Sequence, residues 1–459
     1  MAKHFYPPKE FPHLPKQPVA RLTGPVARFM RVEAAAGVVL LLCAVAALVL
    51  ANSPWSEPFL AFWKTHVKFE IPGVFTFDHS LKHIINDGLM AIFFFVIGLE
   101  VKREIVSGEL REFRKAALPI AAALGGMVVP AGLYIALQMN QPGMRGWGIP
   151  MATDIAFVVG CMALLGRRMP KGLRVMLLSL AIVDDIGAIL VIALGYTDPE
   201  KMSMVWLAWG FGGLAMCFVL GKVGVRSLLV YVVIGFFVWL AFHESGVHAT
   251  IAGVLLGLLT PARSWVGAGL LRDMVERAND IFTGDLPESQ KVGTVLRVKE
   301  AARESVAPLE RIEMAMHPWV SFFIMPVFAL ANAGVKIVPG DLVSPIAVAV
   351  MVGLVVGKPV GVIVLSWVAV KAGLARLPDR VTWPAVLGGG MLAGIGFTMA
   401  LFIDGLAFVG SSPEMVDMLN KAKIGILVGS TISAVFGMGL LIWVLPKVEK
   451  ESATSGSGP

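Results

Sequence analysis

Cysteine and charge are both scarce in this sequence: three cysteines in 459 residues, and only 15% Asp, Glu, Lys and Arg. Cys43, Cys161 and Cys217 lie within apolar runs with neither paired nor metal-ligand spacing. That excludes a disulfide framework and a thiolate metal centre, and leaves structural free thiols. The shortage of charge, set against 56% hydrophobic residues and a mean hydropathy of +0.76, lies outside the range of soluble domains. A signal-peptide core is also missing. Residues 1–31 are polar, basic and Pro-rich (PPKEFPHLPKQP), and the apolar run that follows is too long for one.

What is present is a series of apolar runs of about 20 residues, enough to cross a hydrocarbon core about 30 Å thick. About twelve are predicted, at 33–52, 81–101, 117–137, 149–165, 173–195, 203–221, 226–242, 246–261, 317–335, 344–371, 384–409 and 422–446. The fold class is therefore an all-α polytopic membrane protein, with a transmembrane domain over 32–446. The loops alternate between Lys/Arg-rich and Lys/Arg-poor, and about 30 of the 39 basic residues fall in one set. This predicts cytoplasmic termini: a mobile tail over 1–31 and a disordered one (ESATSGSGP) over 447–459. The net charge of +7 then reflects topology and contact with anionic lipid headgroups, not nucleic acid.

Two loops stand out. Residues 66–77 (HVKFEIPGVFTF) alternate around a Pro-Gly pair and predict an extracytoplasmic β-hairpin. A lone hairpin is marginal in water, so it packs either on its own helices or edge to edge with a second copy. In the cytoplasmic stretch 263–315, Leu270, Leu271, Met274, Val275, Ala278, Ile281 and Phe282 fall at helical spacing, which predicts an interfacial amphipathic helix. A second helical pattern runs from Val292 to Ile312 into the ninth span.

Four charges sit inside the spans: Asp154, Asp184, Asp185 and Lys358. Each costs about 2.5–3.5 kcal/mol at a bilayer centre, so keeping all four points to ion handling. In span four (GWGIPMATDIAFVVG) a Pro and a Gly precede Thr153-Asp154, and in span eleven (LAGIGFTMALFIDG) Gly394 and Gly396 occupy the middle. Two interrupted spans in corresponding places of two three-helix units, spans three to five and ten to twelve, point to inverted repeats with a site at the crossing. Asp184 and Asp185 diverge by about 100° on a helix. One can therefore face Asp154, and the other the base Lys358, forming a compensating pair. Crowded carboxylates in low dielectric do not all ionise, so protons and a hard cation compete for the same oxygens. Carboxylate, hydroxyl and carbonyl oxygens suit Na⁺ or Li⁺, not soft metals.

Several segments together resemble the NhaA-type sodium/proton antiporter family: INDGLMAIFFFVIGLEVKREIVSGEL (85–110), IPMATDIAF, AIVDDIGAI, SGVHATIAGV (245–254), HPWVSFFIMPVFALANAGV (317–335), GKPVGV and GIGFTMALFI. The resemblance runs from about residue 32 to 446. It implies a transporter rather than an enzyme: an electrogenic, pH-regulated exchanger of Na⁺ or Li⁺ for H⁺ in a bacterial inner membrane, without cofactors, and a homodimer through the 66–77 hairpin. By the same resemblance, Asp185 is the main cation carboxylate, with Asp154 and Thr153 lining the site. Asp184 exchanges between a proton or Lys358 and the loaded site. Asp87 lies on the extracytoplasmic route. Glu100, Arg103, Glu104, Glu313 and His317 match the family's pH-activation cluster, and His248 a pH-response residue. Met314 stands where some members carry a second histidine, Asp404 is an additional acid in span eleven, and the 263–315 loop is long. Two rival readings are an intramembrane aspartyl protease and a cation-coupled symporter. The protease lacks its YD and GxGD contexts here; the symporter needs an organic substrate.

Overall fold

The computed structural model describes residues 33–71, 75–197, 200, 202–225, 228–283, 287–410 and 412–445. The two tails and the hairpin tip at 72–74 lie outside the described residues. The chain is nearly all helical. Among the described residues, eight helices are long and apolar enough to cross a membrane, or up to ten if each of two bent pairs is one span, so this is a multi-pass membrane protein.

In chain order, α1 (Glu33–Ala51) and α2 (Ser56–Lys64) form one bent pair, at 115°. The hairpin follows, with β1 (His66–Ile71) antiparallel to β2 (Phe75–Ser80) and His66 opposite Ser80. The second strand runs on to Ser80, whose hydroxyl accepts from the His83 backbone N–H and caps the next helix. Next come α3 (Leu81–Ser107) and α4 (Phe113–Leu137). A 3₁₀ segment, Pro142–Met151, precedes α5 (Ile155–Leu165). The chain continues through α6 (Lys171–Gly195), α7 (Met204–Val223), α8 (Leu228–Glu244) and α9 (Thr250–Leu259), the last two shorter than a full crossing.

The amphipathic pattern at 270–282 lies in α10 (Ala268–Thr283). The pattern read from Val292 to Ile312 is two helices rather than one. These are α11 (Glu288–Glu304) and α12, which spans Pro308–Asn332. Proline disfavours helical geometry in the residue before it, and Ala307 is extended at ψ 139°. The last elements are α13 (Pro345–Lys371), α14 (Trp383–Ala393), α15 (Phe397–Ala407) and α16 (Pro413–Val444), with 48° between α14 and α15.

The described chain clusters into two compact units. One holds residues up to Glu57, Ala117–Ala188 and those from Asn332 onward; the other holds Pro58–Ala116 and Ile189–Ala331. In the first, α4 and α13 touch backbone to backbone. A Cβ on Gly125 would stand 2.0 Å from the Gly361 carbonyl oxygen, so only glycine fits. Solvent preference is inverted relative to a soluble protein. Leu194 and Trp443 are more than four-fifths exposed, whereas Asp154, Lys358 and Thr398 have no exposure. Cys43, Cys161 and Cys217 are unbridged.

Candidate functional site

The first unit contains two places where helical hydrogen bonding lapses. Ala152–Asp154 separate the 3₁₀ segment from α5, and Gly394–Gly396 separate α14 from α15. Such ends leave carbonyls and N–H groups that must find partners away from water. Here they find each other. The Thr153 hydroxyl donates to the Ala393 carbonyl at 2.8 Å, and the Asp154 N–H donates to the Ile395 carbonyl at 2.7 Å. The two glycines make this approach possible. A Cβ on Gly394 would lie 2.4 Å from the Leu354 carbonyl oxygen, and one on Gly396 would lie 3.0 Å from that of Ala152.

Asp154 sits at the N-terminus of α5, where a carboxylate is favoured by the helix dipole and can cap free N–H groups. Its Oδ1 accepts from the Phe157 N–H at 3.2 Å, and its Oδ2 accepts from the Thr398 N–H at 3.0 Å and from the Thr398 hydroxyl. Phe397, the first residue of α15, donates its N–H to the Ser430 hydroxyl at 3.1 Å. One carboxylate therefore closes the starts of two helices. Thr398 and Ser430 were not among the residues singled out from sequence. The signal for Thr398 was there, since it follows the Gly-Ile-Gly break much as Thr153 follows Pro150.

Lys358 begins the straight part of α13 directly after a π-helical turn, Gly353–Gly357. Such wide turns offset the backbone ladder and re-aim the residue that follows. Its ammonium, fully enclosed, donates to Asp184 Oδ2 at 2.8 Å and to the Met151 carbonyl at the end of the 3₁₀ segment. Asp184 Oδ1 is buried without a hydrogen-bond partner, and Thr153 stands beside that carboxylate. Asp185 is buried one residue further along α6, and its charge acts on Lys358. Thus Thr153, Asp154, Asp184, Lys358 and both helix breaks share one region, in which every group able to ligate a cation offers oxygen. Asp404, the additional acid of span eleven, is fully buried in α15.

The remaining sequence-selected residues belong to the second unit. Arg103 of α3 donates to Glu313 of α12, and Glu100 lies within range of the charges of Arg103, Glu104 and Glu313. Glu104 is buried, and its Oε2 accepts from the Glu109 N–H at 3.1 Å, which closes the end of α3. His317 lies one turn beyond Glu313 on α12, while Met314 faces outward. His248 is placed elsewhere. Its Nε2 is 3.1 Å from the Tyr196 carbonyl, and it lies within range of the Asp87 charge. Asp87 occupies a π-helical turn of α3, Ile85–Leu89, with His83 and His243 as neighbours. Outside the spans, hydrogen bonds from His66 and Lys68 hold Asp78 of the hairpin below the ordinary carboxylate range.

Comparison with known proteins bears on the whole chain. The sequence model of the family described as Na+/H+ antiporter 1 matches residues 27–441. A relative in Rhodopirellula baltica, named Na(+)/H(+) antiporter NhaA, is 54% identical over 440 residues, covering 95% of this chain and 98% of its own. A relative of the same name in Rhizobium meliloti is 50% identical over 438 residues, or 94% and 98% of the two chains. One named Na(+)/H(+) antiporter NhaA 2, in Vibrio vulnificus, is 46% identical over 446 residues, 96% and 97%. The matched stretch takes in both breaks and all four buried charges, and the chain belongs to the NhaA-type Na⁺/H⁺ antiporter family.

Proposed function

We propose that the protein is a secondary, electrogenic, pH-regulated antiporter that extrudes Na⁺ or Li⁺ in exchange for protons. The observation that carries this reading is the meeting of two helix breaks at Asp154, with the Asp184–Lys358 pair beside it. Oxygen ligands alone, in a dry setting, suit a hard monovalent cation and disfavour soft metals. In the mechanism, Asp185 is the main cation carboxylate, and Asp154 and Thr153 line the site from the crossing. Asp184 gives up Lys358 when the cation arrives and takes back a proton or Lys358 when it leaves. Forms that are neither protonated nor loaded do not change access, which couples the two fluxes. More than one proton per cation makes the exchange electrogenic. Na⁺, Li⁺ and H⁺ are substrates, and no cofactor is called for.

The topology in this reading has twelve spans. The eight long helices (with Pro142–Leu165, the 3₁₀ segment and α5, as one of them), α1, the α14–α15 pair taken as one, and the shorter α8 and α9 support that count. The repeats are α4 to α6 and α13 to α16, each with an interruption in its middle member. The basic loops and both termini face the cytoplasm of a bacterial inner membrane. The 66–77 hairpin faces outward and pairs with a second copy. In support, its sheet has two strands among the described residues, which leaves each strand one edge. Glu100, Arg103, Glu104, Glu313, His317 and His248 set the pH response, and Asp87 lines the extracytoplasmic route.

The test is dye-reported ΔpH in everted membrane vesicles at mildly alkaline pH. Addition of Na⁺ or Li⁺ is expected to dissipate the gradient. No dissipation, with the protein present in the membrane, would overturn the reading.

A further inference from the structure

A cluster of imidazoles outside the charged crossing has no part in the exchange described above. His79 is the penultimate residue of β2, His83 lies in the first turn of α3, and His243 lies near the C-terminus of α8. The His79 and His83 rings stack at 4.5 Å between centroids, and His243 meets them edge-on at 5.2 and 5.7 Å. One nitrogen from each ring lies within 4.8 Å of the other two. All three residues are partly exposed.

Asp87 completes the group. Its Oδ2 is 3.4 Å from His83 Nε2 and 3.5 Å from His243 Nδ1. Both separations are long for an N–H···O hydrogen bond, which prefers about 2.7–3.2 Å. They match the edge of a tetrahedron of ligands around zinc, about 3.3 Å for bonds of about 2.0–2.1 Å. His83 Nε2 is itself buried without a hydrogen-bond partner. Outer contacts hold the ligands in place. Ser80 fixes the start of α3 through the His83 N–H at 3.2 Å. Trp239 stacks on His243 at 5.7 Å and donates its indole N–H to the Asp87 carbonyl at 3.2 Å. Such second contacts orient ligands at metal centres.

We propose that His79, His83, His243 and Asp87 form a binding site for a borderline divalent transition ion, with Zn²⁺ the best fit. Imidazole nitrogen with one carboxylate is the ligand set such ions prefer, and it differs from the all-oxygen set of the crossing. Asp87 Oδ2 already stands near ligand spacing from both His83 and His243. His79 reaches the ion by a side-chain rotation that opens its stack with His83.

The test is calorimetric titration of Zn²⁺ into the detergent-purified, tag-free full chain. One saturable site per chain is expected. His83→Ala and His243→Ala should each weaken it by at least about tenfold, the loss that even an outer-shell change carries. His66→Ala, which removes the separate hairpin imidazole bonded to Asp78, should leave affinity unchanged. Thermal unfolding without zinc checks that the variants are folded. Should either variant fail to fold, X-ray absorption at the zinc edge of the parent decides the matter, with at least two imidazoles expected in the shell. No saturable site in the parent, unchanged affinity in both folded variants, or a shell without imidazole would each overturn the proposal.

Discussion

Among the described residues, two pairs of a Lys or Arg with a carboxylate on a distant helix differ in how far water can reach them. Lys358 and Asp184, in the first unit, are 0% and 1% exposed, whereas Arg103 and Glu313, in the second, are 17% and 10% exposed. The first pair lies beside interrupted backbone whose carbonyls and N–H groups are met by side chains. The second joins α-helical stretches of α3 and α12, Met90–Ser107 and Pro308–Trp319. Charge enclosed beside open backbone can change partners only by passing a proton or cation, and that is the task of an exchange site. Charge with some access to water can follow the pH of its surroundings. That is the division of labour proposed for the two units.

The sharpest way to break this contrast is Asp185→Asn, which should abolish Na⁺-dependent gradient dissipation in vesicles while melting behaviour stays that of the parent. Retained exchange with parental Na⁺ affinity would move the main carboxylate elsewhere. Next in size is Lys358→Ala. It leaves Asp184 buried and uncompensated, and should lower unfolding free energy by about 3–5 kcal/mol. Adding Asp184→Asn should recover part of that loss, and additive losses in thermal unfolding would contradict the pairing. Thr398→Val removes the hydroxyl that binds the Asp154 carboxylate. A hydrogen bond to a charged group contributes about 1.5–3 kcal/mol. The apparent Na⁺ constant should therefore rise by roughly tenfold or more, as read from dequenching titrations.

In the second unit, Glu313→Gln keeps an oxygen that can accept from Arg103 and should cost less stability than Lys358→Ala, but it should displace the pH profile of exchange. An unmoved profile would remove Glu313 from pH control. The smallest effect belongs to Asp78. Its depressed pKa means that the stabilisation its ion pairs give the hairpin is present above the ordinary carboxylate value. It is lost as pH falls through the folded value. Acidification in that range should loosen the hairpin, and Asp78→Asn should remove that pH dependence from the protection of the hairpin amides, measured relative to their intrinsic exchange rates.

Much of the site was legible in the chain because membrane insertion makes charge rare. With so few charges in apolar runs, Asp154, Asp184, Asp185 and Lys358 stand out, and the divergence of adjacent helical residues directs one acid of the pair toward Lys358. Thr398 was not picked out, since a threonine in an apolar run carries no cost that betrays a role. The π-helical turns before Lys358 and around Asp87 leave no mark in composition, because a shift in hydrogen-bond partner needs no special residue. The histidine cluster was illegible for another reason: His83 and His243 are 160 residues apart (243 − 83), and only tertiary packing brings them together. The division of Val292–Ile312 into two helices was available from Pro308, but the apolar spacing on either side masked the stop.

At the centre of the account is competition between a cation and protons for the same buried carboxylates. It is tested most directly by adding Na⁺ to the purified protein in weakly buffered detergent at mildly alkaline pH and counting the protons that leave. Proton release that saturates with Na⁺ in the parent and vanishes in Asp185→Asn is the predicted result. Saturable Na⁺ binding with no proton released would contradict it.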